Sequence, residues 1–95
     1  MKLEELQNII SKKISDAITV ESINVYDYTA QHENHATLDG NFHLSMTLVS
    51  PDFEGMSLIE RHQLVYKAVD EYMHVEIHAL TMKTLTPQEY KNTQQ

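Results

Sequence analysis

Ninety-five residues suffice for one domain with a single modest core and are too few for a second. Fourteen acidic against seven basic side chains give a formal charge of -7, a field that repels phosphate backbones and anionic lipid surfaces. Cysteine is absent, which excludes disulfides, a thiol nucleophile and thiolate metal ligands from this chain.

A hydrophobic share of 41% with two Gly and two Pro suits a compact α+β domain and is unlike a disordered or fibrous chain. No apolar run approaches the length of a membrane span. The opening MKLEELQNIISKKISDA mixes acids with apolar residues at helical spacing, unlike a signal or transit peptide, so the expected address is the cytoplasm.

Leu3, Leu6, Ile10, Ile14 and Ala17 recur at steps of three and four, with Glu4, Glu5, Lys12 and Lys13 opposite. This predicts a helix laid on a sheet. Val20, Ile23, Val25 and Tyr26 then suit a strand that ends near Asp27.

From Tyr28 to Asn41 the chain has no apolar period and closes on Asp39-Gly40, residues that tolerate a hairpin turn. A connection over 28–41 is longer than a plain hairpin needs, and such loops are more often functional than merely connective. It carries His32 and His35. In the next strand Phe42, Leu44, Met46 and Leu48 alternate with His43, Ser45 and Thr47, predicting one packed and one solvated face.

Ser50-Pro51-Asp52 begins a turn that Gly55 ends, where glycine suits positive φ. Ser57 and Glu60 form a capping box that starts a helix. Leu58, Val65, Val69 and Tyr72 are expected on its apolar stripe, with His62 among them as a half-buried structural imidazole, hydrogen-bonded to backbone. Val75 to Leu85 reads as a strand, and Thr86-Pro87-Gln88-Glu89 repeats the capping logic for a short helix followed by a polar tail, 91–95. A right-handed crossover makes the last two strands parallel, giving a small mixed three-stranded sheet with helices on one face.

Six histidines stand out in this length, because imidazole titrates near neutrality and ligates borderline metals. His43 on the polar strand face and His74 at a helix end are expected to be surface residues. His78 begins the last strand, where regular alternation places it on a face with Leu80 and Met82, at the sheet rim. His32 and His35, together with Glu33, could in principle bind a single metal ion, although HxxH alone is a weak signal. Nucleophile-elbow, phosphate-loop, dinucleotide and zinc-finger patterns are absent, and nothing argues for an enzyme.

The second half resembles the BolA family. The residues that carry the resemblance are Val49-Ser50, Phe53-Glu54-Gly55, Arg61-His62, His78-Ala79-Leu80 and Thr86-Pro87-Gln88-Glu89, in that order. The resemblance implies an αββααβ fold similar to class II KH domains. It also implies a non-enzymatic adaptor that pairs with a monothiol glutaredoxin and shares a [2Fe-2S] cluster with it, in iron-sulfur trafficking or iron and stress signalling.

Carried over, the cluster ligands are His78 and a loop histidine, His35 or alternatively His32, with glutathione supplied on the partner side. Asn41 stands where many members have a histidine before the strand phenylalanine. A cysteine-free chain cannot hold a cluster alone, but can donate imidazoles to one whose other iron has thiolates. Self-association of the apo chain into a homodimer stays open. The alternative is a KH-like DNA-binding transcriptional regulator of stress response or morphology using Arg61 and Lys67, which the acidic charge and a single Gly55-Met56-Ser57-Leu58 turn disfavour.

Overall fold

The computed structural model describes residues 2–28 and 42–94. The elements run α1 (Leu3–Ala17), β1 (Ser22–Asp27), β2 (Phe42–Val49), a 3₁₀ turn (Pro51–Phe53), α2 (Leu58–Ala68), a second 3₁₀ turn (Asp70–Tyr72), β3 (Ile77–Leu85) and α3 (Pro87–Thr93). Counting the first 3₁₀ turn as a helical stretch gives the expected αββααβ order, with a terminal helix added. The sheet order is β1-β2-β3; β1 pairs antiparallel with β2, and β2 pairs parallel with β3.

The sequence periods explain which faces meet. Leu6, Ile10 and Ile14 of α1 are fully buried, as are Leu44 and Leu48 of β2 and Val65 and Val69 at α2, and together they make one core with Phe53 and Ile77. Burying a side chain of this size contributes about 1.5–3 kcal/mol, so the α1 stripe is a main fastening of helix to sheet. Gln7 adds a polar tie, its Nε2 donating to the Val25 carbonyl at 2.9 Å.

The turn before α2 is built from three local devices. Ser50 Oγ accepts from the Asp52 N–H at 3.0 Å, Pro51 fixes the first residue of the 3₁₀ turn, and Gly55 takes φ +83°. At that φ a side chain would be strained even though space for a Cβ is open. The Asp52 carboxylate also accepts the Thr19 N–H at 2.9 Å, tying the turn to the end of α1.

The apolar stripe of α2 differs from the expectation. Its buried residues are Arg61 and Val65, continued by Val69, whereas Leu58 is 59% exposed. Leu58 sits one turn outside the core because the capping box at Ser57 starts the helix before it reaches the sheet. His62 is half-buried at the stripe's margin, and its Nε2, buried within the fold, has no hydrogen-bond partner among the described residues.

Two smaller boundaries also shift. The strand expected from Val75 begins at Ile77, because His74 occupies φ +68° in a turn closed by its N–H to the Ile77 carbonyl at 2.7 Å. His74 therefore belongs to a left-handed turn after the 3₁₀ segment and not to an α-helix end. The tail expected from residue 91 is helical as far as Thr93.

Candidate functional site

The end of the sheet where β2 and β3 begin holds two imidazoles in contact. The His43 and His78 rings stack with centroids 4.8 Å apart and planes 23° from parallel. Tyr28 meets His43 edge-on, at 5.9 Å and 87°, and its hydroxyl lies 3.3 Å from Thr81 Oγ1. The Tyr28 N–H donates to the His43 carbonyl at 2.9 Å, and the Phe42 N–H to the Glu76 carbonyl at 2.9 Å.

A register shift makes the pair possible. Phe42 pairs with Ile77, but the next residue, His43, pairs with Ala79, so His78 is the extra residue of a β-bulge. Ile77 and Leu80 are both buried although three positions apart, which a regular strand cannot arrange. The bulge turns His78 outward, onto the face that carries His43. This corrects the placement of His78 beside Leu80 and Met82: it is exposed on the opposite face, and its imidazole can reach a partner.

His43 lies on the polar strand face, as its alternation predicts, yet it is half-buried and ring-stacked. Reading it as a plain surface histidine missed its contact. The signal was present in the sequence as the spacing of Ile77 and Leu80 around His78-Ala79. His32 and His35 lie outside the described residues. The connection that carries them leaves the sheet at Tyr28 and returns at Phe42, which flank His43 in pairing and in sequence.

Among the described residues no group of three or more His, Cys, Asp or Glu could hold a metal ion. The exposed donor of this corner is the His78 imidazole, with His43 stacked on it; in a cysteine-free chain, an iron-sulfur cluster held here would need thiolates from another molecule.

At the other end of β3 the basic residue of the alternative reading is consumed. Arg61 is 8% exposed. Its Nη1 donates to the Thr84 carbonyl at 2.9 Å, its Nε to the Met56 carbonyl at 3.1 Å, and its fork grips Glu89 at 2.6 and 3.3 Å. The guanidinium lies 5.7 Å from the centre of the Phe53 ring. The Arg61 guanidinium, and after it the Thr86 N–H, hold the Glu89 carboxyl below the usual carboxylate range. Arg61 thus has no fork left for a phosphate, while Lys67 is exposed.

The features so far define a small mixed-sheet α+β domain with an outward histidine pair at one sheet end. Residues 14–89 match the family model described as BolA-like protein, and the chain belongs to that family. It is 33% identical over 89 residues to the UV-induced protein uvi31 of Schizosaccharomyces pombe, covering 87% of each chain. It is 31% identical over 91 residues to the chloroplastic protein BOLA1 of Arabidopsis thaliana, covering 92% of this chain and 57% of that protein.

The chain therefore spans little more than half of that plant relative. It is also 29% identical over 86 residues to a Haemophilus influenzae protein named DNA-binding transcriptional regulator BolA, covering 90% of this chain and 82% of that one. The solution structure of BolA1 from Mus musculus superposes with a TM-score of 0.76 at 30% identity, covering 95% of this chain and 72% of that one.

Proposed function

We propose that this chain is a non-enzymatic BolA-like adaptor that pairs with a monothiol glutaredoxin and contributes imidazole ligands to a shared [2Fe-2S] cluster. The observation that carries the reading is the bulge that turns His78 outward against His43. His78 is the exposed ligand, His43 stacks behind it and fixes its ring, and a second ligand comes from His35 or His32, whose connection is anchored beside the pair. A shared cluster would supply electron storage and transferable iron and sulfide.

The rest of the site is this chain's own work. Tyr28 against His43 and Thr81 braces the pair, so that His78 meets a partner without first ordering its ring, an entropy cost removed in advance. Imidazole must be unprotonated to ligate, which makes the association weaken as pH falls through the histidine range. The cytoplasm, where thiols stay reduced, suits a partner that contributes thiolates.

The test is anaerobic cluster reconstitution with a monothiol glutaredoxin, read by visible circular dichroism and by mass of the complex. A heterodimer with a spectrum distinct from that of the glutaredoxin alone, lost in His78→Ala and altered in His43→Ala, supports the reading. His35→Ala and His32→Ala then identify the loop ligand. Unchanged spectra in every variant would overturn it.

A second reading, a KH-like DNA-binding regulator, is favoured by the name of the Haemophilus influenzae relative. The charge of -7 and the commitment of Arg61 to Glu89 weigh against it. Salt-dependent binding of duplex DNA by the apo chain, lost in Lys67→Ala, would put this reading first.

A further inference from the structure

β3 is an edge strand: β2 pairs with one side of it, and among the described residues no strand pairs with the other. Along such a strand the backbone groups of successive residues point to alternate sides. The Leu85 carbonyl accepts the Ser50 N–H on the β2 side, which turns Leu80, Met82 and Thr84 to the free side. Two of those three carbonyls are capped from α2, Leu80 by the Tyr66 hydroxyl at 3.0 Å and Thr84 by Arg61 Nη1 at 2.9 Å. Met82 lies between the caps, and among the described residues neither its N–H nor its carbonyl is capped.

A groove of about 570 Å³ passes over the edge at this gap. Asn24 pairs with Thr47 and Thr47 with Lys83, so these three lining residues stand in one row across the open face of the sheet, on strands about 4.8 Å apart. Met82 pairs with the core residue Met46 and so faces the other way, toward α2, where the groove meets Leu58. One groove lined from both faces has to cross the free edge of β3. A compact ligand reaches one side of that edge, whereas an extended chain reaches both.

The lining states what kind of chain. A large side chain is left in water at each end, Tyr26 at 55% exposure on the open face and Leu58 at 59% on α2. In a chain of net charge -7, the described residues lining the groove include Lys83 and no aspartate or glutamate, and among the described residues Lys83 has no ion-pair partner. The charge here therefore complements an acidic group. At Met82 an uncapped donor and an uncapped acceptor sit together at a strand edge, a pair that another backbone matches.

We propose that this groove docks an extended peptide segment of a protein partner, with an acidic residue over Lys83, backbone against Met82, and one apolar side chain on each side of the edge, at Tyr26 and at Leu58. From Asn24 to Lys83 is two strand spacings, about 10 Å, which about three extended residues cover at about 3.1 Å each. A few more pass the edge to Leu58. The groove is separate from the His43–His78 corner and does not rest on the adaptor reading.

The experiment is an NMR titration of the full chain with the capped peptide acetyl-Leu-Pro-Glu-Ala-Pro-Leu-amide and with its Gln and Lys versions at the Glu position, each to about 5 mM, a range that detects millimolar binding. The Glu peptide is expected to give saturable shifts at Tyr26, Met82 and Leu58 together. The Gln peptide should bind about threefold more weakly, the size of a solvent-accessible ion pair, and the Lys peptide more weakly still. In Lys83→Gln the difference between the Glu and Gln peptides should vanish, which assigns the contact to that pair.

Tyr26→Ser and Leu58→Gln, both at exposed positions, should each weaken all three peptides. Peptides lacking one terminal Leu should lose the shifts on one side of the edge and keep those on the other. The proposal is overturned if no saturable shift appears, if the three peptides bind equally, if the shifts of the full peptide stay on one side of β3, or if they centre on His43 and His78 instead.

Discussion

The two ends of β3 are built on opposite principles. At its C-terminal end, Thr84 and Thr86 are tied through Arg61 and Glu89 into a network that joins α2, β3 and α3. At its N-terminal end, a bulge interrupts the pairing with β2 and leaves His78 exposed against His43. One end commits Arg61 and Glu89 to the fold, and the other leaves an imidazole in solvent, where the proposed function puts a partner. Loss of a side chain should therefore cost stability at the first end and association at the second.

The largest expected effect is at the arginine. Arg61→Ala removes donors from two backbone carbonyls and from Glu89, and opens a space beside Phe53, so it should cost about 3 kcal/mol in urea unfolding. A smaller effect falls on its partner. The Glu89 side chain is 45% exposed, so solvent screens the pair, and Glu89→Gln should cost on the order of 1 kcal/mol near neutral pH.

The pH dependence of that second variant sharpens the contrast. Glu89 has a folded-state pKa below its ordinary value because Arg61 first, then Thr86, favours the carboxylate. A depressed carboxyl contributes stability that is present above the unfolded value, about 4.3, and is lost as pH falls through the lower folded value. The stability gap between wild type and Glu89→Gln should be full at neutral pH and should shrink as pH falls below about 4. A gap that stays constant down to pH 2 would show that the carboxylate charge contributes nothing there.

Local signals were legible in the sequence and long-range ones were not. The boxes at Ser57/Glu60 and Thr86/Glu89 are four-residue devices, and both form as read. Gly55 takes the positive φ that its turn requires. The role of Arg61 depends on Glu89, 28 residues away, and no local spacing announces that meeting. Leu58 misled because periodicity gives the angle of a residue around a helix but not whether the sheet extends that far.

The bulge is an intermediate case. Strict alternation from Ile77 predicts His78 outward but Leu80 outward as well, whereas alternation from Leu80 predicts both His78 and Leu80 inward. Neither assignment buries both Ile77 and Leu80, and the conflict is itself the evidence for an inserted residue. The resemblance marked His78 as a candidate but carried no information about His43, whose position beside it is fixed only when Ala79 takes the pairing position opposite it.

The smallest expected change in stability belongs to His78. An exposed residue at a bulge has little packing to lose, so His78→Ala should shift unfolding by less than about 0.5 kcal/mol, whereas half-buried His43, stacked on one side and met by Tyr28 on the other, should cost more, about 1 kcal/mol. Urea unfolding of the two single variants and the double checks this order. Rings that support one another give a double-variant cost below the sum of the singles by several tenths of a kcal/mol. Strict additivity would mean that the stack is only adjacency, and that His43 does not fix the ring of His78. The contrast between the two ends of β3 would then rest on exposure alone, with the His78 ring left to its own rotamers.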